Sequence, residues 1–240
     1  MTLPSAPPSL VPRAADGPSA RLLSNGALTS LISAEGTGFT QLGSRRITSW
    51  TPDALEDHEG ILFYLRDEAD GALWSLGLEP VPGAPERYAV RGEPGPLSIE
   101  RSERGIEARC EVTVGADAHV ELRRIRLRNA GALVRRLSLT SYLGVVLHDP
   151  AGHAAHPGFS KLFVQTSVDA AAGVLLARRR PRDPAPEPAH LAHALFGPGA
   201  ASFETDRARF VGRGRSLARP AALDAGAASP AASGMCSIPA

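Results

Sequence analysis

Lysine is nearly missing from this sequence: Lys161 is the only one among 26 basic residues. The others are arginine, a bias that reads as gene base composition and carries no functional weight. Neither sign of charge is in excess, since 25 acidic residues leave a formal net charge of +1. Nothing is left over to hold polyphosphate or an anionic membrane, which argues against nucleic acid as a partner. Cysteine is scarce as well, with Cys110 inside an apparent strand and Cys236 close to the C-terminus. A disulfide framework and a Cys-built zinc site are thereby excluded, and a reducing, cytoplasmic location fits. Long apolar runs are absent too. The first twenty residues carry Pro4, Pro7, Pro8, Pro12 and Pro18, so they form neither a secretory leader nor a membrane span, and nothing later reaches membrane length.

What is present is a β pattern. A chain of 240 residues buries roughly 70–75% of its unfolded surface without covalent staples. From Arg21 to Leu223, short apolar runs alternate with Gly, Pro, Asn and Asp, and no 3.6-residue period persists. In Ile106 to Val114 the residues Ile106, Ala108, Cys110, Val112 and Val114 share one face, and Glu107, Arg109, Glu111 and Thr113 the other. Val120 and Leu122 then alternate in a phase opposite to Ile125 and Leu127, which suggests a bulge or a strand buried on both faces. With Leu137 to Leu147, residues 106 to 147 read as a three-stranded meander. Further strands are expected at 27–33, 61–66, 73–76, 88–91, 97–101, 161–166, 174–178, 190–196 and 209–211. About a dozen strands exceed an immunoglobulin-size unit, and the expected fold is a large all-β, two-sheet antiparallel sandwich spanning 21–223. Residues 1–20 read as a flexible lead-in and 224–240 as a disordered or aberrant tail. Between strands, 149–158 reads as a His-bearing loop and 179–188 as a proline-rich one.

Three groups of residues invite a chemical reading. His148, His153 and His156 cluster as a metal site or general base requires, but their spacing matches no zinc signature and a structural or solvated role is favoured. No metal and no cofactor is expected. Phe63, Tyr64, Leu65, Arg66 and Asp67, followed by Trp74, place aromatic rings beside charged forks, the combination that stacks on and hydrogen-bonds to sugars. Against this, alternation sends Phe63 and Leu65 into a core, and Arg66 and Asp67 suit a hairpin ion pair. Glu204 and Asp206, two apart, would share a face if they lay on a strand, as an acid and base pair for glycoside chemistry does. Neighbouring arginines would hold both ionised, so ion-paired structural use is favoured.

Taken together, several collinear stretches resemble one family, the non-catalytic N-terminal sandwich of the glycosyltransferase-36 group, classed with the family 94 glycoside phosphorylases. They are Leu23-Ser24-Asn25-Gly26, Leu31-Ile32, Gly36-Thr37-Gly38, Arg46-Ile47-Thr48-Ser49-Trp50, and Phe63 to Asp67 with Gly71 and Trp74. Thr140-Ser141-Tyr142, His156 to Phe163, and Glu204 to Phe210 with Gly212-Arg213-Gly214 complete the set. The likeness is greatest to the phosphorylase-like region of cyclic β-1,2-glucan synthases.

The resemblance implies a galactose-mutarotase-like super-sandwich that contacts β-glucan or oligosaccharide and packs on a separate catalytic (α/α)6 barrel. It also implies a homodimer and association with an inner-membrane synthase. Tyr64, Arg66, Asp67, Trp74, His156 and Lys161 are the candidate carbohydrate contacts, and no catalytic residue is assigned. The residues after Leu223 look unlike the family, as a truncated, frameshifted or split gene would produce. The competing reading is a stand-alone aldose-epimerase-like enzyme, which needs a histidine and a carboxylate on one concave surface.

Overall fold

A computed structural model describes residues 20–51, 58–92, 97–181, 188–199, 201–224 and 235–237. The lead-in before Ala20, the middle of the proline-rich loop and the tail outside Met235–Ser237 lie outside the described residues.

Period-two alternation decides the layers. In β5 (Ile61–Asp67), Phe63 and Leu65 face one way and Leu62 and Tyr64 the other, and all four are buried. A strand apolar on both faces belongs in the middle of a sheet. It pairs antiparallel with β11 (Leu137–His148), which is likewise buried on both faces, from Asp67 opposite Leu137 to Ile61 opposite Leu143. On the far side of β11 lie β4 (Arg45–Thr48), β3 (Gly38–Leu42), β2 (Leu28–Ser33) and β1 (Ala20–Ser24) in turn, and β6 (Leu73–Ser75) lies outside β5. A short strand within the tail, β15 (Met235–Ser237), runs parallel to Tyr142–Gly144, making this an eight-stranded sheet.

One face of this sheet is covered by two smaller sheets side by side. The first is four-stranded, ordered β10 (Glu121–Asn129), β9 (Ile106–Val114), β8 (Leu97–Glu103) and β7 (Arg87–Arg91). Its Leu97, Ile99, Ile106, Cys110 and Val112 pack on Ile32, Phe63, Leu65 and Trp74. The second is three-stranded, β12 (Val164–Asp169), β13 (Val174–Arg179) and β14 (His190–Ala194). Its Val164, Leu175 and Ala177 pack on Leu143, Val145 and Leu147. The opposite face of the large sheet holds the segment after residue 204, through Phe210, Val211, Leu217 and Leu223 on Leu62, Tyr64 and Tyr142. Each fully buried Leu, Ile or Phe contributes about 2 kcal/mol relative to exposure, so these three clusters dominate the folding energy. The fold is an all-β super-sandwich, as the alternation predicts, with the second layer divided into two sheets.

Several details differ from the sequence-based expectation. Residues 106–147 are not a meander: β9 and β10 form a hairpin, while β11 crosses to the large sheet because both its faces need burial. In β10 the pairing to β9 is unbroken from Glu121 to Asn129, so there is neither bulge nor double burial. Its phase follows Ile125, turning Glu121 and Arg123 inward and leaving Leu122 60% exposed. Residues 209–211 are helical, within α3 (Arg207–Val211), because the Asp206 side chain accepts the Ala208 and Arg209 N–H groups and caps the turn. The expected loop after β11 contains α1 (Pro150–Ala155), capped by Asp149 with Pro150 in the first turn, and α2 (Pro157–Lys161). Lys161 therefore ends a helix rather than opening a strand. β1, β3 and β4 were not among the expected strands. Their sequences are short and polar, and neighbouring strands rather than apolar alternation fix them.

Candidate functional site

A polar cavity of about 340 Å³ lies on the C-terminal-segment side of the large sheet. Five parts of the chain build it: Ser49 after β4; His58, Glu59 and Gly60 before β5; Tyr142, Gly144 and Val145 of β11; Lys161 at the end of α2; and Arg207, Arg215, Ser216 and Leu217 of the C-terminal segment. Glycine is required at its floor. Gly60 has φ of 126°, and a Cβ there would lie 2.5 Å from the Gly38 carbonyl oxygen. Gly38 itself has φ of 135°, with its own Cβ position 1.9 Å from the Leu31 carbonyl oxygen. This close crossing sets Glu59 beside the cavity.

The wall carrying Arg207 and Arg215 is pinned by aromatic packing. Phe210 stacks on Tyr142 at 5.0 Å between ring centroids and meets Tyr64 edge-on at 6.1 Å. The Tyr64 hydroxyl donates to the Leu217 carbonyl at 2.9 Å. Such ring pairs add about 1 kcal/mol beyond area burial.

Charge in the cavity is uneven. His58 is engaged by Glu79 at 3.2 Å and Arg215 by Asp224 at 2.6 Å. The side chains of Lys161 and Arg207 have no hydrogen bond or ion pair among the described residues, and Oε2 of Glu59 is buried without a hydrogen-bond partner among them. Burial pushes the Lys161 ammonium below its ordinary pKa, the Arg207 guanidinium lowers it further, and the Glu59 carboxylate partly opposes both.

Of the six expected sugar contacts, only Lys161 lines this cavity. Tyr64 is 1% exposed and acts from behind, holding the wall. Trp74, 2% exposed, is core beneath the four-stranded sheet and presents no ring face to solvent. Asp67, equally buried, accepts the Ala69 N–H and pairs with Arg135, which together hold its carboxyl below the usual range. Arg66 pairs with Glu68 at 2.9 Å, and His156 is exposed at the junction of α1 and α2. The constellation from 63 to 74 is thus not one surface, because alternation divides it between two cores. Glu204 and Asp206 are turn and helix caps, the Glu204 carboxylate accepting the Thr205 and Asp206 N–H groups, and form no acid and base pair. Among the described residues no three His, Cys, Asp or Glu side chains converge as a metal set.

Sequence reasoning missed a second polar cluster at the seam between the two halves of the upper layer. Glu121 and Arg123 of β10 meet at 2.6 Å, Thr40 donates to Glu121 at 2.6 Å, and Arg123 donates to the Ile61 carbonyl at 3.1 Å. From β14, His193 Nε2 lies 2.8 Å from the Ser141 hydroxyl. Burial, with Arg123 adding to it, pushes the His193 pKa down to about 4. Glu121 is kept below its usual range despite burial, chiefly by Arg123. The only signal in the sequence was the phase change in β10, which marks Glu121 and Arg123 as inward. The cluster is closed, with the Glu121 side chain 7% exposed.

The strand order and the divided second layer define an antiparallel super-sandwich with a polar cavity on one face of its large sheet. The chain belongs to the family described as glycosyl hydrolase 94, supersandwich domain, which matches residues 12–237. That match extends beyond both ends of the expected 21–223 unit and includes most of the tail that looked foreign. Cyclic beta-(1,2)-glucan synthase NdvB of Rhizobium meliloti (strain 1021) is 33% identical over 210 residues, covering 86% of this chain and 7% of that protein. N,N'-diacetylchitobiose phosphorylase of Vibrio proteolyticus is 25% identical over 221 residues, covering 85% of this chain and 26% of that protein. The chain therefore spans about a quarter or less of the length of these relatives.

Proposed function

We propose that this chain is a non-catalytic carbohydrate-contacting and scaffolding sandwich of the kind used by cyclic β-1,2-glucan synthases and family 94 phosphorylases, working with a separate catalytic (α/α)6 barrel. One observation carries the reading. The cavity at Lys161 is polar, and among the described residues its lining includes a single carboxylate, Glu59, whereas hydrolysis of a glycosidic bond canonically uses a pair of carboxyl groups across it. Hydroxyls of a β-glucan or oligosaccharide have donors in Lys161, Arg207 and Ser216 and an acceptor in Glu59. Phe159 and Leu162, 51% and 58% exposed on either side of Lys161, offer apolar surface for a larger partner body. The length of both relatives is consistent with such a partner, in the same polypeptide or another. A cytoplasmic setting at an inner-membrane synthase, and a homodimer, belong to the same proposal. Among the described residues no helix is long and apolar enough to cross a membrane.

Calorimetry or NMR titration with β-1,2-linked oligosaccharides tests this. Weak binding without turnover, reduced by Lys161→Ala, is the expected result. Absence of binding would leave only scaffolding, and product release by the isolated chain would refute the non-catalytic assignment.

A second reading, an aldose-epimerase-like enzyme, draws on the nearness of His193 and Glu121. An anomer-interconversion assay with glucose or galactose decides it. We expect no activity, since the Glu121 carboxylate is buried against Arg123 and Thr40 and His193 Nε2 is engaged by the Ser141 hydroxyl. Activity lost in His193→Gln would establish the enzyme, whereas loss in His156→Ala alone would place it at the α1–α2 junction.

A further inference from the structure

We propose that the Lys161 cavity is a subsite for a hexose bearing an anionic substituent, with the oxyanion between Lys161 and Arg207 and a sugar hydroxyl donated to Glu59. This rests on the carbohydrate reading of the cavity and narrows its ligand class.

Three features of the lining specify two different ends for one ligand. Lys161 and Arg207 are cations facing a shared space without an ion pair of their own among the described residues, while the other basic side chains in the lining, His58 and Arg215, already have Glu79 and Asp224. An oxyanion between them meets charge-assisted donors, and the Arg207 fork accepts it in two-point geometry. Glu59 imposes the opposite demand. Its buried Oε2 lacks a donor, and a buried carboxylate oxygen left unpaired costs more than a satisfied one. It repels an anion and calls for a hydroxyl. Inorganic phosphate satisfies the cationic end and offers Glu59 at most a P–OH on the same small ion, while a neutral hexose satisfies only the Glu59 end. An anionic hexose satisfies both within a cavity of about 340 Å³, at the small end of the range for ligand pockets. Burial and Arg207 lower the Lys161 pKa while Glu59 raises it, so an oxyanion beside the ammonium would act in the same direction as Glu59. His153, whose own pKa is lowered by burial and then by Lys161, is the further titratable group facing it.

The single lysine makes the test direct. With ¹³C-lysine labelling, the full-length chain gives one side-chain signal set, and it belongs to this site. Glucose 6-phosphate and glucuronate serve as probes, with glucose and inorganic phosphate as controls. Both anionic hexoses are expected to shift the Lys161 ε-CH₂ signal and raise its apparent pKa. They are expected to bind at least about tenfold more tightly than either control, as a charge-assisted hydrogen bond implies. Calorimetry on Lys161→Met and Arg207→Met should show anionic hexoses falling to the level of glucose, with unchanged thermal melting confirming the fold. Lys161→Arg should keep most of the binding. Glu59→Gln should weaken the hexose phosphate while leaving inorganic phosphate as tight or tighter. Glucose binding as tightly as glucose 6-phosphate overturns the proposal but leaves the neutral-glycan function standing. Phosphate as tight as the hexose phosphate overturns it in favour of a plain anion site, and an unmoved Lys161 signal with all four probes also overturns it. Binding of glucose 6-phosphate without any binding of β-1,2-oligosaccharides would sustain this subsite and remove the glucan assignment.

Discussion

His193 is held neutral at the seam, and this makes stability depend on pH. Its pKa is about 4 in the folded chain against an ordinary 6.5, so below pH 6.5 the unfolded chain takes up a proton that the folded chain refuses. Stability is therefore fully present above about pH 6.5 and falls as the pH drops toward 4, by about 3 kcal/mol over the window. Glu121, also depressed, adds a loss of the same sign at still lower pH. Urea denaturation at pH 7 and pH 4.5 should show the difference, and His193→Gln should flatten most of it. A slope unchanged in that variant would disconnect the seam from acid sensitivity. Cys110 is another buried group with a measurable consequence. It is inaccessible, and burial raises its thiol pKa to about 11. In a Cys236→Ser background, a thiol reagent at pH 8 should react only upon unfolding.

At the scale of elements, the segment after residue 204 is held by the packing of Phe210, Val211, Leu217 and Leu223 and by one helix cap. Asp206 caps α3, and replacing it with Ala should cost about 1 kcal/mol and disorder the turn that carries Arg207. Tyr64→Phe removes only the hydroxyl donated to Leu217 and should cost about 1 kcal/mol. Both variants are expected to weaken ligand binding at Lys161 without touching ligand, which a titration alongside thermal melting separates from global unfolding. Gly60→Ala should be more damaging, because its positive φ and the 2.5 Å approach to the Gly38 carbonyl oxygen leave no room for a Cβ. Strain of about 1–3 kcal/mol from the backbone alone is expected, before any shift of Glu59.

At the scale of the whole molecule, the central pairing joins distant parts of the chain. β5 pairs with β11 across the five intervening strands β6 to β10, since Asp67 meets Leu137. Closing such loops before any reward slows folding, so stopped-flow refolding followed by tryptophan fluorescence should take milliseconds to seconds or longer. Trp74, buried between the large and four-stranded sheets, reports that closure. Microsecond refolding would show that the layers form independently of the β5–β11 pairing.

The sequence by itself determined the all-β class, most strand positions and the family, because alternation, turn residues and collinear motifs are local features. It also marked Lys161, although for its place in a motif rather than for a cavity. What it did not reveal follows from the same locality. A stretch such as Phe63 to Trp74 looks like one patch along the chain, yet alternation and pairing send Tyr64 to one core and Trp74 to another. Glu59, Arg207 and Lys161 lie far apart in sequence, and only the crossing of Gly60 over Gly38 and the packing of Phe210 on Tyr142 bring them around one space. The seam of Glu121, Arg123 and His193 likewise exists only because two sheets meet edge to edge over a third. Strand identity is decided by neighbours along the chain, but a site is decided by neighbours across it, and those are set by which faces must be buried together.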